Sequence, residues 1–190
     1  QYEEIQYLEK NDMADLVGSD TYYGGSFDTS ASHLHPLNYA LGLAKAAIEN
    51  GAILHESTIV ESYQEGTINR IITNRGTIEA TSVVVACNGY LGKLDKRLSG
   101  KIMPINNFII ATEPLDDETV AQINPKDIAF ADSRFVVNYF RLSADKRLLF
   151  GGGENYSSNF PTDIESFVRK PMTEIYPQLA NIPVDYAWGG

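Results

Sequence analysis

Two histidines one residue apart, His33 and His35, stand in the stretch SHLHP, with Asp28 the nearest carboxylate. In an extended chain they project from the same side, as two ligands of one metal would. A zinc or iron site needs at least a third ligand, and the remaining histidine, His55, belongs to a distant expected strand. No metal is therefore expected. The other chemistry open to an imidazole is proton handling near neutral pH, which keeps His33 as a weak catalytic candidate. His35 precedes Pro36 and reads as the opening of a helix.

Further candidates lie in the second half of the chain. NYFRLS sets Tyr139 and Arg141 on one face of a strand and Asn138 and Phe140 on the other. A guanidinium suits a carboxylate through its bidentate fork and a phenol can support it, so both are substrate-binding candidates. Tyr139 is also a weak catalytic candidate. The plainer reading of Arg141 is an exposed strand arginine paired with one of the many acidic side chains. Phe108, Phe150, Tyr22 and Tyr23 could wall an apolar pocket or serve as ordinary core. The glycines of FGGGENY admit close backbone approach by a ligand, or make a turn. Cys87 has no evident base beside it and reads as a small packing residue.

The elements that position these residues alternate along a chain of 190 residues, 43% hydrophobic and 11% aromatic, enough for one large domain or two small ones. A formal charge of −10 opposes binding to a phosphate backbone, so nucleic acid is not an expected partner. No apolar run approaches the roughly 18 residues of a membrane span. A single cysteine excludes an internal disulfide and fits a reducing, cytoplasmic compartment. The chain opens on Gln1 rather than Met, as a piece of a longer protein would.

A short helix is expected over Met13 to Val17, ended by Gly18, and a long one over residues 36–50. In the long helix Leu37, Ala40, Leu41, Ala44, Ala47 and Ile48 recur at the spacing of a buried stripe. Strands are expected at about 52–64 and 81–87, with INRIITNRGTIEA forming a hairpin that turns at Asn74, Arg75 and Gly76. From Lys101 onward MPINNFIIATEPL, DIAFAD, RFVVNYFRLS, KRLLFGG and PVDYAWGG read as antiparallel strands. A helix from Asp163 to Tyr176 presents Ile164, Phe167, Val168, Met172 and Ile175. The fold class is mixed α/β (α+β), with a mainly antiparallel sheet flanked by helices.

Taken in order, DTYYGGSFDTSASHLHPLNYALGLAKAAIENGAILHES, VVVACNGYLGKL, MPINNFIIATEPL, NYFRLSADKRLLFGGG and DYAWGG carry a resemblance. The chain resembles the FAD-dependent amine and amino-acid oxidoreductases of the glycine oxidase and D-amino-acid oxidase class, nearest to the gamma-glutamylputrescine oxidoreductase branch. The resemblance runs from about Asp20 to Gly190, and ATEPL and RLLFGGG at their separation are its most specific parts.

The resemblance implies FAD as cofactor and a small amine or amino acid as substrate, oxidised to an imine by hydride transfer. It implies residues 20–100 as part of a Rossmann-like FAD-binding domain, 101–190 as the substrate domain and 1–19 as a connecting segment. It also implies that the backbone of Val60 reads the adenine edge, and that Ala86, Cys87, Asn88 and Gly89 form the turn beside the adenosine. A plain core valine is the alternative for Val60. The hard chemistry belongs to the flavin, so no catalytic triad is required.

The G-x-G-x-x-G turn that holds the FAD pyrophosphate is not in this sequence: YYGGSF and FGGGENY match neither its spacing nor its strand-to-helix context. The chain therefore reads as the middle of an enzyme, expected to be inactive alone. A flavin-free ligand-binding module and a generic acidic interaction domain are the competing readings. A dinucleotide-binding turn encoded upstream would separate them from the enzyme.

Overall fold

The computed structural model describes residues 3–156 and 159–190. The chain divides into two compact units, one made of the segment up to His35 together with Ile105–Gly190, the other of Pro36–Pro104. Residues 20–35 thus pack in the same unit as the antiparallel second half.

The first segment holds β1 (Ile5–Glu9), α1 (Lys10–Val17) and β2 (Gly24–Asp28). The two strands pair antiparallel, from Ile5 opposite Asp28 to Glu9 opposite Gly24. The short helix ends at Gly18, which takes the left-handed conformation (φ 67°) and returns its N–H to the carbonyl of Ala14 at 2.8 Å. Glycine is the residue that adopts this C-cap without strain.

The second unit opens with α2 (Pro36–Glu49), started by a proline whose missing N–H costs nothing in the first turn. Its expected apolar stripe is not buried. Leu37, Leu41 and Ile48 are 61%, 58% and 55% exposed, because no apolar surface among the described residues covers them. Then β3 (Val60–Gln64), β4 (Asn69–Thr73) and β5 (Gly76–Ala80) form a three-stranded antiparallel sheet in that order. The hairpin turn falls on Asn74 and Arg75, as its turn residues foretell.

Two expectations fail here. Residues 52–59 are not strand, so the element expected from 52 begins only at Val60, and the apolar run 81–87 forms no strand. A β-strand exists only by pairing, and none of the described residues pairs with 81–87. A single 3₁₀ turn (Asn88–Leu91) and the short α3 (Lys96–Ser99) close the unit.

The remaining elements belong to the first unit: β6 (Asn106–Thr112), α4 (Asp117–Ile123), β7 (Phe130–Ala131), β8 (Tyr139–Leu142), β9 (Leu148–Asn155), α5 (Ile164–Ile175) and β10 (Val184–Gly189). Five strands make one sheet in the order β10-β6-β9-β8-β7, with every pairing antiparallel. Alternate residues Phe108, Ile110, Phe140, Leu142, Leu148 and Phe150 turn to one face and pack with Val168, Met172 and Ile175 of α5. The Asp163 carboxylate caps α5 by accepting from Ser166 N at 2.9 Å, and the Ser166 hydroxyl, which donates to it at 2.6 Å, followed by that N–H, holds its pKa below the usual carboxylate range. Tyr176, fully buried, donates its hydroxyl to the carbonyls of Val17 at 2.8 Å and Ile123 at 3.2 Å, the last residues of α1 and α4.

Candidate functional site

The period of two along β8 sends Phe140 and Leu142 into the core and Tyr139 and Arg141 to the opposite face. Tyr139 lies across from Gly151 of β9, and a Cβ built on that glycine would come within 2.2 Å of the tyrosine ring. The Tyr139 hydroxyl bonds to Asn107 Oδ1, while Asn107 Nδ2 donates to the carbonyl of Gly153 at 3.2 Å. Half-buried, the phenol has its pKa raised by desolvation and keeps its proton at neutral pH.

The glycine run is therefore neither a turn nor open backbone. It lies within β9, where Gly151 makes room for Tyr139 and Gly153 (φ 80°) for Phe167, whose ring a Cβ would meet at 2.2 Å.

Arg141 points to no carboxylate among the described residues. Its Nη1 donates to Leu142 O at 3.1 Å and to His33 Nδ1 at 3.4 Å, and its Nη2 donates to Leu34 O at 3.1 Å. His33 Nε2 contacts the carbonyl of Asp127 at 2.8 Å, and because a carbonyl only accepts, that nitrogen carries the proton. His33 and Arg141, more than a hundred residues apart in sequence, are thus neighbours. Together they pin the SHLHP segment to β8 beside a cleft of about 460 Å³ whose lining includes Leu8, Met13, Phe27, His33, Asp127 and Phe130. No three His, Cys, Asp or Glu side chains converge on one point among the described residues.

Phe108 and Phe150 are sealed in the core at 0% exposure and wall no pocket. Tyr22 is half-buried and donates to Asp132 Oδ2 at 3.3 Å, whereas Tyr23 is 86% exposed. In the second unit, Val60 begins β3 opposite Thr73 and is 39% exposed. Ala86, Asn88 and Gly89 are exposed and Cys87 half-buried. Asn88 holds a left-handed backbone (φ 47°), and a Cβ on Gly89 would meet nothing within 4 Å. The backbone at Gly89 is open on its Cβ side.

Sequence reasoning missed a charged network in the same unit. Asp95, 6% exposed, accepts from Arg97 N at 2.7 Å and Arg97 Nη2 at 3.0 Å, and also from the Tyr63 hydroxyl. The Arg97 guanidinium, followed by the tyrosine, holds the Asp95 carboxyl well below the usual range. Only the Asp–x–Arg spacing of the cap was visible in sequence; Tyr63 is supplied by the fold.

Comparison with known proteins agrees with this architecture. The family model described as DAO, FAD dependent oxidoreductase, matches residues 1–190. The chain belongs to this family. The DAO chain is 40% identical over 190 residues to the probable oxidoreductase OrdL of Rhizobium meliloti. It is 36% identical over 188 residues to the gamma-glutamylputrescine oxidoreductase of Escherichia coli. It spans 44% of the length of each of these relatives.

Among solved structures, glycine oxidase from Geobacillus kaustophilus superposes over 99% of the DAO chain and 50% of its own, with a TM-score of 0.79 at 17% identity. L-proline dehydrogenase from P. horikoshii superposes over 98% of the DAO chain and 52% of its own, with a TM-score of 0.78 at 21% identity. At those identities the likeness is one of fold. No helix among the described residues is long and apolar enough to cross a membrane.

Proposed function

We propose that the protein containing this chain oxidises a small primary or secondary amine or an amino acid to the imine, with FAD as electron acceptor. In this reading Pro36–Pro104 contributes to the cofactor domain, with Val60 and Ala86–Gly89 against the adenosine, and the five-stranded sheet carries the substrate. The observation that carries the reading is the position of Tyr139: a half-buried hydroxyl on the sheet face away from the core, held in place by Asn107. It supplies one oriented polar group, as orientation of a small amine requires.

FAD, when bound, takes up the two electrons released as the amine-bearing carbon becomes an imine carbon. The chain's own residues bind and orient. Tyr139 fixes the polar end of the substrate, and Arg141 keeps the SHLHP segment seated on β8. His33, with Nε2 held by Asp127 O and Nδ1 facing Arg141, is committed to structure on both ring nitrogens, which leaves it a supporting rather than a proton-shuttling role.

Anaerobic mixing of the full-length protein with gamma-glutamylputrescine, glycine or L-proline tests the proposal. Loss of the oxidised-flavin absorbance with at least one of them is the expected result. Failure of every amine and amino acid tried to bleach the flavin would overturn it.

A further inference from the structure

Two strand edges border the cleft of about 460 Å³ beside His33, and both belong to the same compact unit. One is β2 of the two-stranded sheet, the other β7 at the end of the five-stranded sheet. Thr29 N–H donates to Glu4 O at 3.0 Å, which makes Ser26 and Tyr7 a non-hydrogen-bonded pair and turns the Ser26 N–H and C=O away from β1. Asp132 N–H donates to Asn138 O at 2.9 Å, which by the same pattern turns the Ala131 N–H and C=O away from β8. Ser26 and Ala131 both line the cleft.

The two edges also agree in which side is apolar. Gly25 and Phe27 share one face of β2, and Met13 lies against that face, its Sδ 2.9 Å from where a Gly25 Cβ would be. Phe130 turns to the core face of β7, its ring 5.1 Å from that of Phe140. Met13 and Phe130 pack on the same hydrophobic core, and with Leu8, Leu16 and Phe27 they give the cleft an apolar floor. On the opposite faces the edges carry only the small side chains of Ser26 and Ala131.

A slot with backbone donors and acceptors on both walls and an apolar floor fits one extended strand with apolar side chains at alternate positions. The stretch matched in the curated relatives is 44% of their length, so a strand from elsewhere in the same polypeptide is the occupant that the lengths favour. We propose that such a strand lies in the cleft, bonded to β2 on one side and to β7 on the other. It would join the two sheets into one of eight strands. This inference is independent of the amine-oxidation reading.

Hydrogen exchange of the full-length protein, resolved to single amides, tests it. The Ser26 and Ala131 amides are expected to exchange at least roughly 100-fold more slowly than in an unstructured peptide. Ala131→Pro removes one N–H from the β7 wall, a change that an edge without a partner tolerates. Because the two walls communicate only through the inserted strand, this variant should speed exchange at Ser26, across the cleft, about 10-fold, with the β9 amides unmoved.

Fast exchange at Ser26 and Ala131 in the unaltered protein would overturn the inference, and that measurement decides if the proline variant does not fold. Exchange at Ser26 indifferent to Ala131→Pro would overturn it as well. So would protection that grows with protein concentration, which would make a second copy the occupant.

Discussion

Gly18 and Gln122 approach so closely that a Cβ on the glycine would lie 1.9 Å from the Gln122 carbonyl oxygen. The contact brings the C-terminal end of α1 against that of α4, where the Tyr176 hydroxyl serves the last carbonyl of each. Gly18 also sits at φ 67°, a conformation L-residues with side chains enter at a cost. Gly18→Ala is expected to destabilise the protein by roughly 2–4 kcal/mol, read as a lowered urea midpoint with unchanged slope.

Tyr176→Phe removes the hydroxyl from this junction and leaves two buried carbonyls without their donor. The expected loss is about 1–3 kcal/mol. Equilibrium denaturation should report it, and a loss near zero would mean that water enters to replace the phenol.

Gly151→Ala places a methyl group 2.2 Å from the Tyr139 ring and displaces it from Asn107. The sheet can keep its pairing, since alanine is compatible with a strand. Amine oxidation by the full-length protein should fall by roughly 100-fold while FAD content stays constant, because misplacement rather than unfolding is the defect.

Arg141→Met removes the bonds to His33, Leu34 and Leu142 but retains much of the side-chain volume. Amide hydrogen exchange across residues 32–35 should accelerate about 10-fold, with the β8–β9 amides unaffected. Uniform acceleration across the sheet would instead make Arg141 a determinant of global stability.

Asp95 gives the pH dependence. Its folded pKa lies below that of the unfolded chain, so its contribution is complete above the unfolded value of about 4 and is lost as pH falls through the folded one. Exchange protection at the amides of 95–99 should weaken as pH is lowered below about 4. Asp95→Asn, which cannot ionise, should flatten that dependence.

Sequence alone determined what depends on near neighbours. Turn residues Asn74 and Arg75 located the hairpin, Gly18 ended α1, Asp163 capped α5, and alternation along NYFRLS placed Tyr139 and Arg141 on one face. These signals are local because a cap or a turn is built within a few residues. The run 81–87 and the stripe of α2 misled for the converse reason: strand pairing and burial each require a second surface, and an apolar pattern does not supply one. The distant partners of Arg141 and Tyr139 were likewise beyond the sequence. Arg141 meets His33 and Leu34, 108 and 107 positions away, because the segment before Pro36 lies against β8, and Tyr139 meets Asn107, 32 positions away, because β6, β9 and β8 join one sheet.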